Sequence, residues 1–333
     1  MSWKTKVSWK IEASTLLLVG LSLCATHSLY AGRAPKRPHI LHIAQVTVLS
    51  TDIPAASTFY AKTLGPDLNS QAAARDCNWC ETLPGNPFFI VNREQMVSLA
   101  VAPTPVPSNL IGEVTLVTDD LSELFKYLTA QKIQFTPKLI SGIRHWDMIG
   151  IGYSALSVID PEGHRIRFIG KAKLPIPPDR PLMPIPSGEQ QIIHAGFIVH
   201  DRAAIEHFYK DILGFRPYWH GGMKDDQTDW VSMQVPDGVD WLEFMVNVSP
   251  DADQRVRGIM NHIAIGVTDI HATEAQLRKN GWTGTEQPKI GRDGKWQLNL
   301  YDPDDTRVEF MEFTPTQKPC CSEYTGPHPG QKP

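Results

Sequence analysis

Positive charge is in short supply in this sequence. Its 32 Lys and Arg stand against 36 Asp and Glu, for a formal charge of −4. No basic patch interrupts that balance, so the composition gives no footing for a nucleic-acid partner. Sustained heptads and low-complexity blocks are also missing, which excludes a coiled coil or a disordered scaffold as the organising feature. Long apolar runs are confined to the first thirty residues. Cysteine is sparse, at five residues.

The one apolar stretch, Ser14 to about Ala25, follows Lys4, Lys6 and Lys10 and leads through small residues to Ala31 and Gly32. A positive start, a short apolar core and small residues form the layout of an export signal over residues 1–31. Its removal takes away Lys4, Lys6, Lys10 and Glu12 and moves the formal charge from −4 to −6. The expectation is an exported protein, periplasmic or secreted, with no stable membrane span once the signal is removed. A lipoprotein modified at Cys24 and an uncleaved anchor are the alternatives.

Beyond residue 38 the chain repeats itself. Gln45-Val-Thr-Val-Leu-Ser-Thr-Asp52 aligns with His194-Ala-Gly-Phe-Ile-Val-His-Asp201 at an offset of 149. The same offset pairs Phe59-Tyr60 with Phe208-Tyr209, and Leu64-Gly65 with Leu213-Gly214. Asp160-Pro161 aligns with Asp302-Pro303 at an offset of 142. Two copies of one domain are therefore expected, at 38–170 and 191–315, joined by a stiff Pro-rich linker over 171–190 and followed by a tail over 316–333. Each copy is itself double. Strand, Asp at the helix start, amphipathic helix, terminal Gly and several short strands form one β-α-β-β-β unit. It is used four times, which predicts an α+β fold.

In the second copy, four short apolar runs each carry one metal-capable side chain. These are His194 in IIHAGFIV, Glu243 in WLEFMV, His262 in NHIAIGV and Glu309 in RVEFMEF. Read as strands, all four place the His or Glu opposite the more apolar face, beside small or mixed residues such as Gly196, Ala264 and Gly266. Two imidazoles and two carboxylates gathered on one face make a candidate site for a divalent metal. A polar cavity without a metal is the alternative.

This architecture, with the Phe-Tyr-x-x-x-Leu-Gly motif, the Asp-Pro turns, a first-strand His and a last-strand Glu, resembles the vicinal oxygen chelate superfamily. Glyoxalase I, the extradiol dioxygenases and the bleomycin and fosfomycin resistance proteins belong to it. The resemblance spans about residues 39–315. It implies paired modules whose sheets curl into a half-barrel cleft. It also implies metal ligands at His194, His262 and Glu309, with Glu243 matching the additional carboxylate of glyoxalase-like members. In the first copy Gln45, Glu113 and Arg167 stand where His194, His262 and Glu309 stand, which implies a domain without a metal.

One divalent ion, zinc, nickel, iron or manganese, is expected to hold a small-molecule substrate through two vicinal oxygens and to stabilise an enediolate as a Lewis acid. Glu243 or Glu309 then moves a proton. The reading is a metal-dependent isomerase or lyase of glyoxalase type. An extradiol dioxygenase with two His and one carboxylate on iron, or a non-catalytic binding protein of the resistance type, is the alternative. Glu243 and the absence of a His between Gly294 and Tyr301 weigh against the dioxygenase. Export weighs against a glutathione adduct as substrate, because that thiol pool belongs to the cytosol. Trp219, His220 and Trp230 are candidates for an aromatic cavity wall, with core or loop placement as the alternative. Two tandem domains are compatible with a monomer or a homodimer.

Four cysteines remain in the exported chain: Cys77, Cys80, Cys320 and Cys321. An even count in an exported protein favours disulfides. Adjacent cysteines bridge with strain, so two links from the tail to the first domain are expected. A four-thiolate zinc site is the alternative.

Overall fold

A computed structural model describes residues 35–65, 86–136, 139–140, 143–144, 155–171 and 190–330. The expected export signal, most of the linker, and Cys77 and Cys80 lie outside the described residues.

The first copy contributes β1 (Ile40–Ser50), α1 (Ile53–Thr63), β2 (Phe88–Ile90), β3 (Met96–Val101) and β4 (Ile111–Thr118). It continues with α2 (Leu121–Ala130), the short β5 (Leu139–Ile140) and β6 (Ile143–Arg144), then β7 (Ala155–Ile159) and β8 (Arg165–Gly170). Six of these strands form one sheet in the order β2-β3-β1-β4-β8-β7. The second copy contributes β9 (Gln191–Ile198), α3 (Arg202–Glu206), β10 (Arg216–Gly221), β11 (Trp230–Gln234) and β12 (Trp241–Met245). After α4 (Gln254–Met260) come β13 (His262–Val267), α5 (Ile270–Lys279), β14 (Lys289–Ile290), β15 (Trp296–Tyr301) and β16 (Arg307–Glu312). Its sheet has eight strands in the order β10-β11-β12-β9-β13-β16-β15-β14. The result is an α+β fold with two curled sheets.

The local signals act as their chemistry requires. Asp52, Asp120, Asp201 and Asp269 each cap a helix, with the carboxylate accepting from backbone N–H groups of the first turn. Gly65, Gly214 and Gly281 follow the helices at positive φ, where a side chain would be strained. One departure is α3, whose continuation His207–Ile212 widens into π-helical turns.

The shared motifs lock the two copies together reciprocally. The Tyr209 hydroxyl, from the second copy, donates to Asp160 in the Asp-Pro turn of the first (3.0 Å). The Tyr60 hydroxyl, from the first, faces Asp302 in the turn of the second (3.3 Å). All four residues are buried. Gln95 adds a third tie. Its amide donates to the carbonyls of Ile43 (2.7 Å) and Ile192 (3.0 Å), and its oxygen accepts from Ile192 N (2.7 Å).

The tail corrects the expected disulfides. Cys320 is bonded to Cys321, leaving neither sulfur for Cys77 or Cys80. The tail packs on the second copy, where Cys320 N donates to the Arg292 carbonyl (2.8 Å) and Thr325 N to that of Tyr218 (3.0 Å). Among the described residues no helix is long and apolar enough to cross a membrane.

Removing either hydroxyl of the reciprocal lock strips a buried carboxylate of one donor. Tyr60→Phe and Tyr209→Phe are each expected to cost about 1–2 kcal/mol, read as a lower urea midpoint at unchanged slope.

Candidate metal centre

Parallel pairing of β12 with β9, antiparallel pairing of β9 with β13 and parallel pairing of β13 with β16 put four strands side by side. On one face Phe197, Leu242, Phe244, Ile263, Ile265, Val308 and Phe310 enter the main core. On the other face stand His194, Glu243, His262 and Glu309, and the structure brings all four together. The His194 and His262 Nε2 atoms are 2.9 Å apart. Glu243 Oε2 lies 3.8 Å from His194 Nε2 and 3.4 Å from His262 Nε2. Glu309 Oε2 lies 3.6 Å and 3.8 Å from the same two nitrogens.

That geometry fits a single ion. Atoms that each sit about 2.0–2.2 Å from one metal are at most about 4.4 Å apart, and each imidazole–imidazole and imidazole–carboxylate separation is shorter; His194, Glu243 and His262 form the group whose ligand atoms all lie within 4.8 Å of one another. The chemistry of the donors fits as well. Both imidazoles are fully buried, and burial holds their pKa values well below the ordinary histidine range, in the neutral form a metal requires. His262 Nδ1 donates to the Met260 carbonyl (2.9 Å), which turns the Nε2 lone pair toward the cluster. The His194 ring stacks on Trp241, with centroids 4.7 Å apart. Gly196 is required beneath His262, because a Cβ there would collide with the imidazole ring. Burial pushes the Glu309 carboxyl up to about 7, with Glu243 adding to the rise and Arg307 opposing it. Glu243 is the more open carboxylate, with 13% of its side chain exposed against 3% for Glu309. It accepts from the Ser232 hydroxyl at 3.1 Å.

Both carboxylates face a cavity of about 370 Å³. Its wall is aromatic: Tyr218, Trp219, Trp230, Trp241 and Tyr324 line it, while Arg307, Asn299 and Asp293 supply polar groups. Two of the three expected wall residues, Trp219 and Trp230, are there. His220 is not; it is exposed, on the neighbouring surface. Sequence reasoning missed Trp241 and Arg307. Each stands two residues before a cluster Glu on the same strand, so strand parity could have found them. It also missed Tyr324, which the tail delivers, and the buried pair Asp293 and Lys295. Lys295 Nζ is fully buried without a hydrogen-bond partner among the described residues, over the rings of Trp241 (4.7 Å) and Tyr324 (5.1 Å). Burial brings its pKa down to about 8 and pushes Asp293 up to about 6.

The corresponding place in the first copy holds other chemistry. Gln45 Nε2 donates to the Ser98 hydroxyl (2.7 Å), and Arg167 faces Glu113 at 3.7 Å.

Comparisons with known proteins agree with this anatomy. Residues 193–299 match the family model described as the Glyoxalase/Bleomycin resistance protein/Dioxygenase superfamily. The lactoylglutathione lyase of Haemophilus influenzae is 29% identical over 129 residues, which are 38% of this chain and 96% of that protein. Homoprotocatechuate 2,3-dioxygenase from Brevibacterium fuscum, solved with 3,4-dihydroxyphenylacetate, superposes with a TM-score of 0.56 at 17% identity. The superposition covers 90% of this chain and 85% of that one. A catechol 2,3-dioxygenase gives a TM-score of 0.59 at 15% identity, over 90% and 96% of the two chains. At these identities the dioxygenases share the fold, across both copies.

Two outcomes follow from the geometry. Gly196→Ala should weaken cobalt or zinc binding at least tenfold by displacing the His262 ring, checked by metal titration. The second concerns pH in the metal-free protein. Glu309 has a folded pKa of about 7, above its ordinary value of 4.5. A raised carboxyl pKa makes the folded state bind the extra proton, so its stability contribution is lost as pH rises from about 4.5 through 7. Glu309→Gln should therefore gain melting temperature relative to wild type as pH goes from 5 to 8, checked by thermal melts in chelator.

Proposed function

We propose that this chain, which belongs to the vicinal oxygen chelate superfamily, is a metal-dependent enzyme of glyoxalase type. In this reading it performs isomerase or lyase chemistry on a small molecule with two adjacent oxygens. The observation that carries the reading is the position of Glu243. Its carboxylate is as close to the two imidazoles as that of Glu309 and forms with them the tightest donor group; with Glu309 added, the proposed donor set is two His and two Glu. Relatedness of the second copy to a lactoylglutathione lyase supports the same choice.

His194, His262, Glu243 and Glu309 would hold a divalent ion, which when bound would supply Lewis acidity to two neighbouring substrate oxygens. The remaining work falls to the chain itself. Glu243 Oε2 is the base best placed to move a proton, because it belongs to the cluster carboxylate more open to the cavity, and among the described residues the one side-chain hydrogen-bond donor to that carboxylate, the Ser232 hydroxyl, is on Oε1. Trp219, Trp230 and Tyr324 bind the apolar part of the substrate and keep water from the reacting atoms. Arg307, whose guanidinium lies 3.9 Å from Glu309, and buried Lys295 offset the two carboxylates. We further propose that the protein is exported.

Likeness of the whole chain to extradiol dioxygenases favours a second reading, in which three ligands hold iron and Glu243 stays aside. Metal analysis of the purified protein separates the two. About one divalent ion per chain, lost in His194→Ala and weakened at least tenfold in Glu243→Gln, is the expected result. Iron retained in full by Glu243→Gln would favour the dioxygenase. No bound metal after reconstitution would overturn both and leave a binding protein.

A further inference from the structure

A second cavity, of about 400 Å³, lies between the two copies and shares no residue with the aromatic one. Its first-copy wall is the Asp-Pro turn and the start of β8, bringing His164 and Arg165. Its second-copy wall is the end of β9 and helix α4, bringing Arg257 and Asn261. Nothing in the metal chemistry uses these groups.

His164 is held on both sides. Its Nδ1 lies 2.8 Å from Asp160 Oδ2, a buried carboxylate that also accepts from the Tyr209 hydroxyl. Its ring stacks on Phe197 with centroids 4.4 Å apart. The Asp160 carboxylate accepts from the ring, so Nδ1 carries a proton and, in the neutral imidazole, Nε2 keeps a lone pair. That nitrogen has no hydrogen-bond partner among the described residues, and the ring forms part of the cavity wall. The pseudo-equivalent position in the second copy, Thr306, has no ring to offer. Arg165 has no ion pair among the described residues. Arg257 uses NH1 on the Ala252 carbonyl (2.7 Å) and NH2 on Gln254 Oε1 (3.4 Å), while its buried Nε has no partner among the described residues. The acid in this wall, Glu162, is engaged by His200 Nδ1 (3.3 Å) and Asp201 N (2.6 Å). The side chains of Arg165 and Arg257 and the ring of His164 thus line one cleft.

We propose that this interdomain cleft is a binding site for a small oxyanion that also carries a hydroxyl. The Arg165 guanidinium takes the anionic oxygens, for which its planar fork is suited, and Arg257 adds positive charge from the opposite wall. In its neutral form His164 accepts a hydrogen bond from the hydroxyl at Nε2. Hydrogen phosphate and a 2-hydroxycarboxylate share this chemistry. A ligand seated here touches both copies and ties them together, independently of the metal centre.

Isothermal titration of the metal-loaded full chain with inorganic phosphate, malate and succinate tests this. Phosphate, malate or both should bind, and malate should exceed succinate, which lacks the hydroxyl. Binding of phosphate alone assigns a phosphoryl ligand; binding of malate alone assigns a hydroxy acid. Arg165→Gln should weaken binding at least tenfold, and His164→Gln should reduce malate to the level of succinate. Bound metal should stay unchanged in both variants, which separates this site from the metal centre. Absence of binding by phosphate and malate, or affinities unchanged in Arg165→Gln, would overturn the proposal. Equal affinity of wild type for malate and succinate would overturn the role of His164.

Discussion

Four ionisable side chains share one buried face of the second sheet, and the rest of the site is arranged around their mutual tolerance. Two imidazoles in contact must both stay neutral, and burial ensures that they do. Two carboxylates beside them need compensating charge. Arg307 and Lys295 supply it from the protein side, and the donor geometry suits a divalent ion from the other. Lys295 is itself buried, so its ammonium rests on aromatic rings instead of water. The aromatic wall therefore serves the electrostatics of the cluster as well as the shape of the cavity.

Both copies offer the same strand positions, yet they solve the problem differently. His194, Glu243, His262 and Glu309 gather acceptors and lone pairs. At the equivalent positions Gln45 meets Ser98 and Arg167 meets Glu113. There a guanidinium brings the positive charge within the chain itself. One copy thus gathers donors that suit an external cation, and the other carries its cation in the chain.

The copies depend on each other through their most similar motifs. The Tyr of each Phe-Tyr pair reaches the Asp of the other copy's Asp-Pro turn, so a repeated sequence element becomes a reciprocal clasp. In the first copy that turn also fixes His164. The clasp and the interdomain cavity are consequently parts of one structure.

The sequence by itself determined the repeat, the helix caps, the α+β class and the four residues of the cluster. These are local: strand parity decides which face a side chain takes, and an Asp or Gly at a helix end acts on its own turn. Trp241 and Arg307 were within reach of the same parity. Only the tertiary structure decided how Cys320 pairs, that Tyr324 closes the cavity, that His220 faces outward and that Lys295 is buried. None of these follows a period. Lys295 stands in a turn, and Cys320 and Tyr324 stand in a tail with no regular structure, so their partners were fixed by where the tail docks. The tyrosine clasps belong to the same class: the sequence showed each motif twice, and only the fold crossed them.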